Sequence, residues 1–205
     1  MRAFAIRLTL SAILCALGFG IAHAGAPRTH DGFMLRLSAG GGSAGSNIED
    51  PTGSIDLSGT AGEMNIAVGG MIQPNLAVHA TLFGWSVSDP DADVNIVGVG
   101  QGSGTLNGTA TMSAIGPGVT YYFMPVNMYV SGSVGYGRFS LDGDVEGSTD
   151  GGVAFDLSLG KEWWVGDAWG LGAAGGFGYH SLPDKDVSEN WSGTSFALRF
   201  SATFN

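Results

Sequence analysis

Cysteine, basic residues and long apolar runs are all scarce in this chain of 205 residues. Its single cysteine, Cys15, lies close to the start, so the chain after this residue has neither disulfide bridges nor thiolate metal sites. Lysine and arginine total 8 against 18 acidic residues, and the resulting net charge of -10 argues against nucleic-acid binding. After residue 24 the chain contains no run of about 18 apolar residues, so no transmembrane helix is expected.

Residues 1–24 have the pattern of a secretory signal peptide. Arg2 and Arg7 provide a basic start, an apolar stretch follows, and residues 22–24 read Ala-His-Ala, a typical cleavage motif. The apolar stretch is short for a membrane-spanning helix. We therefore predict that the chain is exported and that the leader is removed, which leaves residues 25–205 as one mature domain. That domain carries six basic residues against 18 acidic ones.

Apolar and polar residues alternate in the last eleven positions, SFALRFSATFN (195–205). Phe196, Leu198 and Phe200 share one face of an extended chain, whereas Arg199 lies on the other. Seven earlier segments repeat this pattern, near 32–41, 61–71, 75–87, 107–123, 127–141, 151–164 and 168–181. Because the 36 glycines are scattered and no helical apolar stripe is present, the sequence predicts an all-β fold of eight strands.

The predicted connections between these strands alternate in length. Short turns are expected near 72–75, 124–127 and 165–167, and long loops near 42–60, 88–106, 142–150 and 182–190. Thirteen of the 18 acidic residues fall in the long set. Short periplasmic turns and longer external loops are typical of bacterial membrane barrels. We therefore predict an eight-stranded antiparallel up-and-down transmembrane β-barrel with short periplasmic turns, longer acidic extracellular loops and both chain ends in the periplasm.

Aromatic residues cluster where the predicted strands end. Amphipathic rings favour the boundary between lipid and water, so two belts at opposite ends of a barrel are typical of membrane proteins. Trp85 and Trp191 adjoin the long loops and are expected to contribute to the outer belt. The girdle predicted near the short turns comprises Phe33, Tyr121, Phe123, Trp163, Trp164, Trp169 and Phe204.

Charged residues also occur at positions whose side chains face the predicted barrel interior. An eight-stranded barrel has a lumen just wide enough for side chains to fill, and buried charges must be paired. The predicted interior polar network comprises Arg36, Glu63, His79, Asp156, Glu162 and Arg199. We interpret it as a structural polar plug rather than a channel, because open pores need more strands. A proton or ion path is the alternative.

No catalytic, metal or cofactor site is predicted. His180 and Ser181 are neighbours, but adjacent residues on a strand point to opposite faces and do not form a catalytic dyad. Asp89, Asp91 and Asp93 alternate as in a calcium loop, yet the glycine and the final glutamate of such a loop are missing. We interpret this segment as a solvated acidic loop, with weak bridging of divalent cations to lipopolysaccharide as the alternative.

Three stretches resemble small outer-membrane β-barrel proteins of the OmpA-like and OmpX-like kind. They are GPGVTYYFMPVNMYVSGSVGYG (116–137), LGKEWWVGDAWGLG (159–172) and the terminal SFALRFSATFN. The resemblance implies location in the cell outer membrane, contact with its lipid and lipopolysaccharide, and insertion by the barrel assembly machinery. It implies no catalytic residue, and a monomer is compatible with it. Such proteins usually end in an aromatic residue, whereas here Asn205 follows Phe204.

The expected role is structural, or surface interaction through the acidic loops. Two other classes of protein are alternatives. One is an outer-membrane enzyme that modifies lipid, and the other is a soluble, lipocalin-like carrier of an apolar ligand. A lipocalin has apolar side chains inside its barrel, and the inward Arg36, Asp156 and Arg199 therefore favour the membrane barrel.

Overall fold

The computed structural model describes residues 30–185 and 188–205. The predicted signal peptide lies outside these described residues. Within them, no helix is long and apolar enough to span a membrane. Every regular element of the described chain is a β-strand.

Eleven strands make up one antiparallel sheet. They are β1 (Phe33–Asp50), β2 (Gly53–Gln73), β3 (Leu76–Ser88), β4 (Asp91–Ile96), β5 (Gly100–Thr105), β6 (Gly108–Phe123), β7 (Met128–Gly143), β8 (Gly147–Ser148), β9 (Gly152–Trp164), β10 (Trp169–Pro183) and β11 (Asn190–Phe204). The eight long strands form the barrel wall, and each overlaps one of the eight predicted segments. The short strands β4, β5 and β8 lie in two of the connections.

The wall closes into a ring because the terminal strand pairs with the first one. Its order is β1-β11-β10-β9-β7-β6-β3-β2, and β2 pairs with β1. The seam between β1 and β11 runs from Leu35 opposite Phe204 to Asn47 opposite Ser192. The prediction of an all-β, antiparallel up-and-down barrel is confirmed.

The prediction of a long loop over 42–60 is wrong. β1 and β2 remain paired up to Asp50 opposite Gly53, so only residues 51 and 52 turn the chain. One carboxylate oxygen of Asp50 accepts hydrogen bonds from the backbone N–H groups of Thr52 and Gly53, at 2.6 and 2.9 Å. Glycine and serine are frequent in this segment, so the sequence does not show the apolar and polar alternation of a strand. The pairing of β1 with β2 forms a hairpin that extends beyond the rest of the wall.

Side chains alternate between the outside and the inside of the wall, as the period of two requires. Outward positions are apolar over the middle of the barrel: Leu157 is 51% exposed and Phe200 is 75% exposed. Inward positions are buried, and polar ones lie in the middle of the lumen. The burial of charge inside and the exposure of large apolar residues outside is the reverse of a soluble barrel.

The lumen is not polar along its whole length, a feature absent from the interior predicted from the sequence. A buried apolar cluster fills its end near the long connections, where the rings of Trp85 and Phe139 have centroids 5.9 Å apart. Phe139 also packs against Trp191 at 5.4 Å. Two smaller apolar clusters flank the polar middle at the other end, around Met34 and around Tyr122. The polar network is therefore enclosed from both sides.

Candidate functional site

All six residues of the predicted interior polar network lie inside the barrel and are at most 6% exposed. They come from β1, β2, β3, β9 and β11 and meet in the middle of the lumen. They form two ion-pair groups, one around Arg199 and one around Arg36, and His79 lies beside the second.

Arg199 is paired with two carboxylates. Its Nη1 and Nη2 donate to the two oxygens of Asp156, at 3.1 and 2.5 Å, in the bidentate geometry that suits a guanidinium. Its Nε donates to Oε2 of Glu63 at 2.7 Å. Asn65 donates a further hydrogen bond to Asp156 at 3.0 Å.

Gly40 explains how Arg199 and Glu63 meet although β1 lies between their strands. In the register of the wall, Gly40 is opposite Arg199 on one side and opposite Glu63 on the other. Because this middle position has no side chain, the two flanking residues contact each other directly over the backbone of β1. An alanine methyl here would collide with the carbonyl oxygen of Leu198.

Arg36 has one carboxylate partner and two aromatic ones. Its Nε lies 3.3 Å from Oε1 of Glu162, and Thr203 donates to the same oxygen at 2.7 Å. Its Nη2 donates to the hydroxyl of Tyr122 at 2.5 Å, and its guanidinium carbon lies 4.0 Å from the ring centroid of Tyr129. Desolvated cation–π contacts of this kind stabilise a buried arginine.

His79 connects hydroxyl groups rather than charges. Its Nδ1 is 2.7 Å from the hydroxyl oxygen of Thr81, and its Nε2 is 2.9 Å from that of Thr120. Thr120 donates onward to Ser131 at 2.8 Å. Because hydroxyls occupy both ring nitrogens, the imidazole has no nitrogen left for a metal ion.

The arrangement is that of a packed plug held together by ion pairs. Both arginines and all three carboxylates contact an opposite charge, and no group of three or more metal-binding side chains occurs in the described residues. Sequence reasoning missed Tyr122 as a partner of Arg36. Strand alternation predicts the inward position of Tyr122, because this residue lies between the outward Tyr121 and Phe123 and must point to the opposite face.

Five residues of the predicted girdle, Phe33, Tyr121, Phe123, Trp163 and Trp169, point outward and are exposed. Phe204 lies between two of them: its ring centroid is 6.3 Å from that of Phe33 and 5.4 Å from that of Trp169. All six lie at the end with the short turns, where a membrane boundary is expected.

Trp164 does not belong to this outward set. It follows the outward Trp163 on β9, so alternation turns it to the inner face. Its ring packs against His30 at 4.9 Å, and His30 stacks on Tyr122 at 3.5 Å. His30 also lies 2.7 Å from the side-chain oxygen of Asn127. These groups cover the lumen at the short-turn end.

The outer aromatic belt also differs from the prediction. Trp85 and Trp191 face inward and are buried, so they form the apolar cluster rather than a belt. The outward rings near the long connections include two contacting pairs, Phe155 with Tyr179 and Phe177 with Phe196, and also Tyr136 on β7, which is 61% exposed. These five lie on β7, β9, β10 and β11, which are consecutive in the wall, so this belt covers one side of the barrel.

His180 contacts a serine, but the serine is Ser46 on β1 and not Ser181. The Nε2 of His180 is 2.9 Å from the hydroxyl oxygen of Ser46, and both residues are buried. The rings of Trp85 and Phe139 lie beside the imidazole. Its Nδ1 has no hydrogen-bond partner among the described residues, so the carboxylate that orients a catalytic histidine is missing.

Gly193 allows Ser46 and His180 to contact each other. It lies between them in the register of β1, β11 and β10, and it has no side chain that would keep them apart. A Cβ at position 193 would collide with the carbonyl oxygen of Gly45 and approach Cε1 of His180 to 2.7 Å. We expect Gly193→Ala to reduce the free energy of unfolding by about 1–3 kcal/mol, as overpacking does. Urea titration of the refolded protein in detergent micelles measures this. Gly175→Ala, where a Cβ meets no atom within 4 Å, is the matched control and is expected to be nearly neutral.

A second candidate site is the sheet that projects beyond the wall at the long-connection end. It consists of the far ends of β1 and β2 together with β4 and β5. One face is polar and carries Asp56 and Asp93 as direct cross-strand partners. The other face is apolar and includes Leu57 and Ala92, which pack on the buried cluster. The sheet therefore presents two chemically different faces outside the barrel.

No protein-family profile and no curated protein sequence matches this chain. Among solved structures, the Neisserial surface protein A (NspA) is similar with a TM-score of 0.55 and 15% identity, over 84% of this chain and 96% of that one. The outer membrane protein AlkL has a TM-score of 0.47 and 16% identity, over 90% and 95% of the two chains. OprG from Pseudomonas aeruginosa has a TM-score of 0.44 and 13% identity, over 88% and 100%. At 15% identity the similarity to NspA concerns the fold, and the chain has the fold of a small outer-membrane β-barrel protein.

Proposed function

We propose that this protein is an integral, non-enzymatic barrel of the outer membrane whose acidic outer end interacts with cationic or divalent-bridged partners at the cell surface. The clustering of acidic residues at the long-connection end is the observation that carries the proposal. Outer-membrane lipid and lipopolysaccharide surround the wall, and the barrel assembly machinery inserts it.

The outward surface supports the membrane location. Leu198, Phe200 and Leu159 are among the most exposed apolar residues of the described chain, and they lie on β11 and β9, which flank β10 in the wall. Large contiguous apolar surfaces mark sites of contact with a membrane or a partner. The aromatic rings at the ends of this surface suit the two lipid–water boundaries.

The uneven charge of the two ends supports the surface role. Acidic residues cluster at the long-connection end, and Asp56 and Asp93 face each other directly across two strands. Like charges placed opposite each other destabilise a sheet, so a cationic partner would relieve their repulsion. The packed interior, in which every charged side chain of the polar network contacts an opposite charge, offers no comparable function.

Binding to a cationic surface tests this proposal. The mature protein in nanodiscs of zwitterionic lipid is passed over immobilised poly-lysine at low salt, with immobilised heparin as the anionic control. Replacing Asp142 with Asn and Glu146 with Gln, both exposed at the acidic end, is expected to weaken poly-lysine binding by about two- to tenfold. Replacing Asp31 and Asp167 with Asn, at the opposite end, is expected to change it little. Equal losses from the two variants, or preference for heparin, would contradict the proposal.

A further inference from the structure

An apolar groove, here called the hairpin groove, lies outside the barrel wall on the projecting sheet. Ile48, Ile55 and Val94 follow one another across β1, β2 and β4 as register partners, so they share one face. Ile96 lies two residues further along β4 on the same face, and Trp191 from β11 also lines the groove. The groove encloses about 410 Å³.

Nothing in the described chain covers this part of the sheet. Ile55 is 38% exposed and Ile96 is 48% exposed, whereas Leu57 and Ala92, one row closer to the barrel, are buried. On β5 the residue opposite Val94 is Gly102, and no atom lies within 4 Å of the position that its Cβ would occupy. Among the described residues this apolar face therefore stays uncovered, and contiguous exposed apolar surface marks a site of interaction.

Two carboxylates stand at the edge of the hairpin groove, and both are held in place. Asp50 accepts hydrogen bonds from the hydroxyl and the backbone N–H of Thr52 and from the N–H of Gly53, and these bonds lower its pKa. Asp184 accepts a hydrogen bond from Nε1 of Trp191 at 2.8 Å. An apolar floor with fixed anionic groups at its edge complements a ligand that is apolar and cationic at once.

We propose that the hairpin groove docks a cationic, amphipathic peptide segment. An apolar side chain enters between Ile55 and Ile96, and the lysines or arginines beside it reach Asp50 and Asp184. This proposal rests on the proposed function, because it assigns the acidic outer end a specific partner. A second copy of the same chain would place acidic edges against each other, so the groove does not favour self-association.

Three fluorescein-labelled pentapeptides test the site by fluorescence anisotropy with the mature protein in nanodiscs. Lys-Leu-Lys-Leu-Lys combines both features, Lys-Ser-Lys-Ser-Lys retains only the charge, and Glu-Leu-Glu-Leu-Glu reverses it. We expect the first peptide to bind at least tenfold more tightly than the second, because burial of a leucine contributes that much. The third is expected not to bind.

Matched variants separate the groove from the general acidity of the protein. Asp184→Asn keeps the acceptor for Trp191 and is expected to weaken binding of the first peptide by about fivefold. Asp144→Asn makes the same charge change at an exposed position that follows β7, away from the groove, and is expected to weaken this binding less than twofold. Ile96→Ser is expected to weaken binding of the first peptide by about tenfold, and Ile96→Leu is expected to preserve this binding. Val99→Ser, which removes an 82% exposed apolar side chain beside the groove, is the control.

The outcomes distinguish the groove from the proposed function. Equal binding of the leucine and serine peptides, or equal losses from Asp184→Asn and Asp144→Asn, would overturn the proposed docking in the groove and would leave a general attraction to the acidic end intact. Failure of every cationic peptide to bind would overturn both. Sedimentation of the protein without peptide tests whether a second copy of the chain occupies the groove instead. A dimer that Ile96→Ser disrupts would show that it does and would also overturn the proposal.

Discussion

Arg199→Met is expected to reduce the free energy of unfolding by about 3–5 kcal/mol, because it leaves two buried carboxylates without their cation. Asp156 and Glu63 are each no more than 5% exposed, and Arg199 is the cation that contacts both. Methionine has a similar length to the arginine stem, so the loss comes from charge rather than from a cavity. Urea titration of the refolded barrel in lipid vesicles, followed by tryptophan fluorescence, measures the change.

Arg138→Met is the matched control, since Arg138 is exposed on the outside of β7 and is expected to tolerate the change within about 0.5 kcal/mol. A triple variant with Arg199→Met, Glu63→Gln and Asp156→Asn removes the whole charged group. It is expected to recover part of the stability, because uncharged replacements of a buried ion cluster are often tolerated. If Arg199→Met alone were neutral, the plug would not be held together by these ion pairs.

The wall of the barrel could be predicted because alternation is a local property. Each outward leucine, valine or phenylalanine determines that its two neighbours point inward. The sequence therefore predicts that the side chains of Arg36 and Asp156 face the barrel interior. The same rule, applied strictly, would also have turned Trp164 and Tyr122 inward. Grouping aromatic residues by sequence proximity obscured it.

The partners inside the lumen could not be predicted in the same way. Arg199 and Glu63 are 136 residues apart and lie on strands that do not pair with each other. Their contact depends on the curvature of the ring and on Gly40, which leaves the row between them empty. The projecting hairpin was hidden for a related reason. Glycine and serine carry little apolar signal, so the pairing of β1 with β2 beyond residue 41 was interpreted as a loop.

Leu157→Arg is the second change for which a large effect is expected, about 2–4 kcal/mol of lost stability in lipid vesicles. Leu157 points outward from β9 and is 51% exposed. Lys161, on the same face, donates a hydrogen bond to the carbonyl of Val126 in a short turn, which marks the boundary region. Four residues of strand separate the two positions by about 13 Å, so an arginine at 157 would lie deep in the hydrocarbon layer.

Two comparisons show whether lipid is the cause of the effect. Val97→Arg, at a 67% exposed position in the turn between β4 and β5, is expected to be neutral within about 0.5 kcal/mol because that turn lies outside the wall. Ser158→Arg points into the lumen and is expected to destabilise by about 1–3 kcal/mol through crowding, equally in micelles and in vesicles. The penalty of Leu157→Arg should instead be smaller in detergent micelles, where water and headgroups reach the charge more easily. A neutral Leu157→Arg in lipid would mean that the outer face of β9 does not contact the membrane, and the transmembrane orientation of the barrel would then be wrong.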